Sequence, residues 1–139
     1  MPQACWIATP RGEYWIDVSL GGQPLQVFVD TGLVDAKGQV GFSVEETLYD
    51  SIKKAGGFRS HQMHARLTAD GNISMTESGL LDAQLVWPSP NPAGPVVSVY
   101  IFRGALGVPN RVGMAFFHRL KGCKVLWDLD QRSWPIEYP

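Results

Sequence analysis

Within QVFVDTGLVDAKG, residues 26–38, an apolar run ends abruptly in a carboxylate. Val27-Phe28-Val29 is a β-branched and aromatic segment of the kind that fills a buried strand. Asp30-Thr31-Gly32 follows at once, and nothing charged nearby in the sequence offsets Asp30. A buried, unpaired carboxylate is costly. The tripeptide is therefore expected to leave the strand as a loop and to carry Asp30 to a place where a carboxylate is needed. The preceding residues supply a partner strand. In EYWIDVSLGGQPLQVFVD, Tyr14, Ile16, Val18 and Leu20 share one face by period two. Gly21-Gly22 provides a turn in which positive φ costs little, and residues 25–29 return.

The chain has 139 residues, the size of one domain, and 45% of them are hydrophobic, enough for a core. A formal net charge of -1 leaves no basic footprint for nucleic acid and no polybasic membrane patch. The 15 glycines and 10 prolines imply many turns, and β-favouring runs outnumber helix-favouring blocks, so a mostly β protein is expected. Cys5 and Cys123 form no CxxC pair, and free thiols in a reducing compartment are expected. MPQACWIATPRGEYWI lacks a basic start followed by a long apolar stretch, and no run approaches the ~20 apolar residues of a membrane span. The expected setting is cytoplasmic, without membrane contact.

GFSVEETLYDSIKKAGG, residues 41–57, reads as a helix capped by Ser43, with Glu46 completing a capping box and Gly56-Gly57 as its stop. Val44, Leu48 and Ile52 would form its apolar stripe. Asp70-Gly71 marks a hairpin turn, and residues 80–87 read as a strand. PSPNPAGP, residues 88–95, is a proline loop. VVSVYIF, residues 96–102, has the composition of a strand buried on both faces. NRVGMAFFHRLKG, residues 110–122, reads as a short helix with Asn110 as cap and Gly122 as stop, and KVLWDLDQRSWPI as two strands around a polar turn.

Taken in order, VFVDTG, SVEETLYDSIKKAG, RLTADGNISMTESG and RVGMAFFHRL followed by KVLWDLDQRSWPI resemble the retropepsin-like (retroviral-type) aspartic proteases. The pattern of that family is hydrophobic-hydrophobic-D-[ST]-G, a helix, a flap hairpin, and an apolar segment ending in a glycine that opens a helix. TADG is similar to the T-A-N-G of flap regions in bacterial members, and VGMAFF to their L-G-M-x-F-L. The likeness spans residues 14–137. It implies a closed β-barrel of acid-protease fold, with one main and one short helix, in a single domain over residues 1–139.

The resemblance also implies an aspartic endopeptidase acting as a homodimer. Asp30 of each chain would form a pair in which one group takes a proton from water while the other gives one to the peptide carbonyl. Thr31 would brace the paired loops, and Gly32 would let the backbone approach and present N–H groups. The hairpin of residues 68–78, with Thr68, Ala69, Asp70, Gly71, Asn72 and Ile73 about its tip, would close over an extended peptide or protein substrate. Neither a metal nor an organic cofactor is required. Leu33 stands where the family carries Ala or Ser and is expected to make the pocket over the carboxylates more apolar. The 33–41 loop is longer than usual, and Ala115 stands where many members carry Asp. Leu33 and the long loop support an alternative reading, a dimerisation or peptide-binding module of the same fold that does not cut.

Other constellations read as structural. His61 and His64 are expected to be exposed histidines rather than a metal site, because no third ligand is nearby. Asp128 and Asp130 fit a turn, and Lys53-Lys54 a solvated helix face. The five tryptophans suit core or dimer contacts, with no interleaved basic residues for base stacking.

Overall fold

The computed structural model describes residues 3–7, 13–67, 70–86, 94–125 and 133–137. β1 (Gln3–Ile7) precedes the expected hairpin of β2 (Trp15–Leu20) and β3 (Gln23–Val29). Gly21 and Gly22 turn it with φ of 58° and 88°, the doubly positive φ that matches the twist of paired strands. Ile16, Val18 and Leu20 point into the core, as their period-two spacing requires.

β4 (Val40–Glu45) and α1 (Glu46–Lys54) divide the segment read as one helix. Ser43 does not cap α1. It is a buried strand residue, and Glu45 occupies the cap position without a side-chain cap bond. The reason is tertiary: β4 lies between two strands that satisfy its backbone, and Val40, Phe42 and Val44 are wholly buried. The apolar face of α1 is therefore Tyr49 and Ile52 with the partly buried Leu48, while Val44 belongs to the strand. Gly56, with φ of 73°, ends the helix as expected.

β5 (Ser60–Leu67) and β6 (Ile73–Val86) form the second hairpin, with Gly71 at φ 84° in its turn. The strand expected at residues 80–87 is the second half of the 14-residue β6. β7 (Val96–Gly104) is not buried on both faces throughout. Val99 and Ile101 face the core, Ser98 and Arg103 are exposed, and Phe102 is buried on the opposite side. β8 (Arg111–Val112) and α2 (Met114–Phe117) follow, then β9 (Lys124–Val125) and β10 (Ser133–Glu137). Asn110 does not cap α2, which begins after Gly113; its side-chain oxygen accepts the Glu45 N–H at 2.8 Å. Gly122, with φ of 76°, lies in the turn before β9. Most of the proline loop and the Asp128–Asp130 turn lie outside the described residues.

The strands run β2-β3-β8-β4-β7-β6, and β6 pairs back onto β2, closing a six-stranded barrel with β5 hung on the edge of β6. The mostly β closed barrel, with one main and one short helix, is as expected. β1, β10 and β9 form a separate three-stranded sheet, so the two ends of the chain pair with each other.

Two features position the site. The first is β8, which pairs in parallel with β3 and antiparallel with β4. Its fit depends on Gly113, where an added Cβ would stand 2.5 Å from the Leu33 carbonyl oxygen. Crowding of this kind costs about 1–3 kcal/mol or more. The second is the length of β6. From Ser78 onward it has β7 on its other edge, but residues 73–77 pair with β5 alone. The distal hairpin is a two-stranded ribbon, marginal by itself in water. Amide exchange at residues 70–77 is expected to be orders of magnitude faster than at residues 99–102, as measured by hydrogen–deuterium exchange; equal protection would remove the ribbon as a lid.

Candidate active site

β3 delivers Asp30 to the end of the barrel. Phe28 N–H donates to the Asn110 carbonyl and Asp30 N–H to the Val112 carbonyl, both at 2.9 Å, so the strand is held by β8 up to the residue before the turn. Leu33 N–H then donates to the Asp30 carbonyl at 3.2 Å and closes a tight turn over Thr31-Gly32. Gly32 N–H donates to Asp30 Oδ1 at 2.9 Å. A Cβ at position 32 would stand 3.3 Å from that oxygen, a tight contact that the carboxylate would have to relieve by a few tenths of an ångström. Thr31 is exposed and has no hydrogen bond among the described residues.

The structure corrects the expectation that no charge offsets Asp30. Arg111 Nη1 donates to Asp30 Oδ2 at 3.0 Å, and the two side chains are only 21% and 25% exposed. The partner comes from 81 residues away, so the neighbours of Asp30 in the sequence carried no sign of it. The signal that could have found it is the basic residue within NRVG, once that segment is read as the strand beside the D-T-G strand. Arg66, on β5, stands over the Phe102 ring with Cζ 5.3 Å from the centroid. Burial first, then Arg111, pushes the Arg66 guanidinium below its ordinary value, and Asp30 opposes the shift.

Leu33 turns inward. It is 3% exposed and packs with Val40, Phe102 and the half-buried Tyr100. The long loop is ordered by Asp35, whose carboxylate accepts the N–H groups of Lys37, Gln39 and Val40 at 2.9–3.2 Å. Asp35 also forms a bridge with Arg66, and Ala36 N–H donates to the Ala65 carbonyl, so the loop is fastened to the hairpin.

His64 secures the same junction, against the expectation that it is exposed. It is 3% exposed, while His61, three residues away along the strand, is exposed on the other face. Ser78 Oγ donates to the Gln62 carbonyl at 3.0 Å and so accepts from His64 Nδ1–H. Gln39 Oε1 lies 2.9 Å from Nε2, so both ring nitrogens face acceptor oxygens and a neutral imidazole donates to one of them. Among the described residues no group of three or more His, Cys, Asp or Glu gathers to hold a metal ion.

At the hairpin tip, Asp70 accepts from Asn72 N–H and Asn72 Nδ2 at 3.1 and 2.9 Å, which stabilises the turn rather than exposing a free carboxylate. Ile73 is 66% exposed, as are Met75 and Met63 to 60% and 53%. Thr68 and Ala69 lie outside the described residues. No helix among the described residues is long and apolar enough to cross a membrane.

The chain is similar to a retropepsin-like aspartic protease from Rickettsia conorii, known from its crystal structure. Identity is 13% and the TM-score 0.53, over 99% of this chain and 90% of that one. That likeness establishes a retropepsin-like fold. No protein-family profile matches the chain, and no curated protein does.

Burial holds the His64 imidazole below its ordinary value of 6.5, with Asp35 opposing the shift and Lys37 adding to it. Between that lowered value and 6.5 the unfolded chain binds the proton more readily than the folded one. Stability is therefore full above pH 6.5 and falls as pH drops through the window beneath it. Urea unfolding at pH 7.5 and pH 5 is expected to show a larger loss for the wild type than for His64→Gln. Equal losses would mean that His64 does not carry the dependence.

Proposed function

We propose that this chain is an aspartic-type endopeptidase acting as a homodimer, in which Asp30 of each copy forms the catalytic pair. The observation that carries the reading is the D-T-G turn itself, held by β8 at the end of a retropepsin-like barrel beside a projecting hairpin. One chain contributes one such carboxylate, and water activation needs a second group that starts in the opposite protonation state. A second copy supplies it. Two carboxylates in contact cannot both ionise, so the pair holds one proton, and cleavage favours acid. The exposed Thr31, with its hydroxyl unpaired among the described residues, suits a bond across the dimer. Asp70, Gly71, Asn72 and Ile73, with Thr68 and Ala69, would cover an extended peptide, with Leu33 beneath the turn.

The Asp30–Arg111 contact favours a second reading, a module of the same fold that binds peptides without cutting them. A carboxylate already matched by a guanidinium is suited to holding charge rather than passing protons. In the enzyme, Arg111 must give up Asp30 when the second carboxylate arrives.

Sedimentation at micromolar concentration is expected to give a dimer. A strictly monomeric species that still cleaves peptide would defeat the shared-site argument. Asp30→Asn should lower peptide cleavage at acid pH by on the order of a thousandfold while leaving the circular dichroism spectrum unchanged. Cleavage undiminished in that variant would exclude Asp30 as the catalyst. Peptide binding by the wild type with no cleavage at any pH would establish the second reading.

A further inference from the structure

Asp30 is bonded to the Arg111 guanidinium, and a second guanidinium, that of Arg66, stands over the Phe102 ring. Arg111 pairs in register with Ser43, and Ser43 with Phe102, so the three share a face of the sheet two strands apart, roughly 10 Å. Arg66 covers that same Phe102 from the hairpin. It shares a hairpin face with His64, two residues away, which also packs on Phe102. Neither arginine has used all its donors. The Arg66 side chain has no hydrogen bond or ion pair among the described residues, and Arg111 Nε is buried without an acceptor. Asp35, whose backbone bridges to Arg66, has its carboxylate taken up by three backbone N–H groups, which leaves positive charge and unused guanidinium donors in a half-buried place. Such a charge is costly unless an anion completes it.

We propose that Arg66 and Arg111 form a carboxylate-recognition site, which selects peptides carrying an acidic side chain or a free C-terminal carboxylate. The chemistry suits the residues. A guanidinium presents parallel N–H donors that match a carboxylate in two bonds, and an aromatic face beneath it fixes the plane. The location suits a peptide in particular. Arg66 lies on β5, whose outer edge is taken at Ala65 and Arg66 by residues 35 and 36, while over residues 60–64 it pairs with no second strand among the described residues and an extended chain can add main-chain hydrogen bonds there. Asp30 occupies part of the site in the free protein and competes with the incoming carboxylate. The inference rests on the peptide-binding cleft of the reading above, and it holds whether or not the bound peptide is cut.

The test reads the side-chain Nε–Hε resonances of Arg66 and Arg111 in nitrogen-15-labelled protein. Three tripeptides are titrated: one blocked at both ends with a central glutamate, the same peptide with glutamine, and one with a neutral side chain and a free C-terminal carboxylate. Both arginines should shift saturably with a carboxylate-bearing peptide, which should bind at least fivefold more tightly than the glutamine peptide. Whichever of the two binds better identifies the source of the carboxylate. Arg66→Gln should weaken that binding by roughly fivefold, the factor that one exposed charge pair supplies, and leave the glutamine peptide unaffected. Asp30→Asn should strengthen it, because the competing carboxylate is gone. Equal affinity for the glutamine peptide, or no response of either arginine to any of the three, overturns the proposal. Cleavage without acidic preference sinks this inference alone, whereas acidic preference without cleavage sinks only the peptidase reading.

Discussion

Two residues of strand hold the site together. Arg111-Val112 lies between β3 and β4, and its backbone fixes both. The carbonyls of Asn110 and Val112 hold β3 to the brink of the D-T-G turn, and Gly113 N–H donates to the Gly41 carbonyl at 2.8 Å. Gly41 and Gly113 permit this approach. A Cβ at Gly41 would meet Val99 at 2.6 Å, and one at Gly113 would meet the Leu33 backbone at 2.5 Å. Such parallel, long-range pairing closes a loop of some eighty residues, and its entropic cost is met only when the whole barrel forms. The core formed by Ile16, Phe42, Tyr49, Leu81, Ile101 and Phe116 supplies the driving force.

The same wedge determines the electrostatics. Because Phe28 stands opposite Arg111, the guanidinium projects beside the end of β3, where Asp30 begins its turn. The carboxylate that the apolar strand could not have kept buried alone is paired from the neighbouring strand. Around that pair lies a second, smaller apolar cluster of Leu33, Val40 and Phe102, distinct from the main core. The long loop covers it. Asp35 gives that loop its shape, and His64 joins it to the hairpin. The longer connection after D-T-G is thus a built element with its own packing.

Much of the fold was legible because it depends on local chemistry. Gly21-Gly22 can hardly do anything but turn a hairpin, and Asp70-Gly71 turns another. Alternation in residues 16–20 identified the inward face, and Gly56 stopped the helix where it should. The errors arose where two local signals competed. Ser43 and Glu46 spell a helix cap, but residues 40–45 are drawn into the barrel by ladders on both edges, and the helix waits until Glu46. Asn110 is a cap residue by type, yet its acceptor is used by Glu45 of another element. His64 looked like a surface residue because a three-residue spacing from His61 says nothing about which strand face meets the body of the protein.

By itself, then, the sequence determined the two hairpin turns, the inward face of residues 16–20, and the exit of Asp30 from an apolar strand into a loop. Each follows from backbone preference or from the cost of burying apolar and charged groups within a few residues. Only the tertiary structure decided what Asp30 meets. Arg111 lies 81 residues away. No local preference relates those positions; they are neighbours because β8 inserts between β3 and β4 and the barrel closes around them.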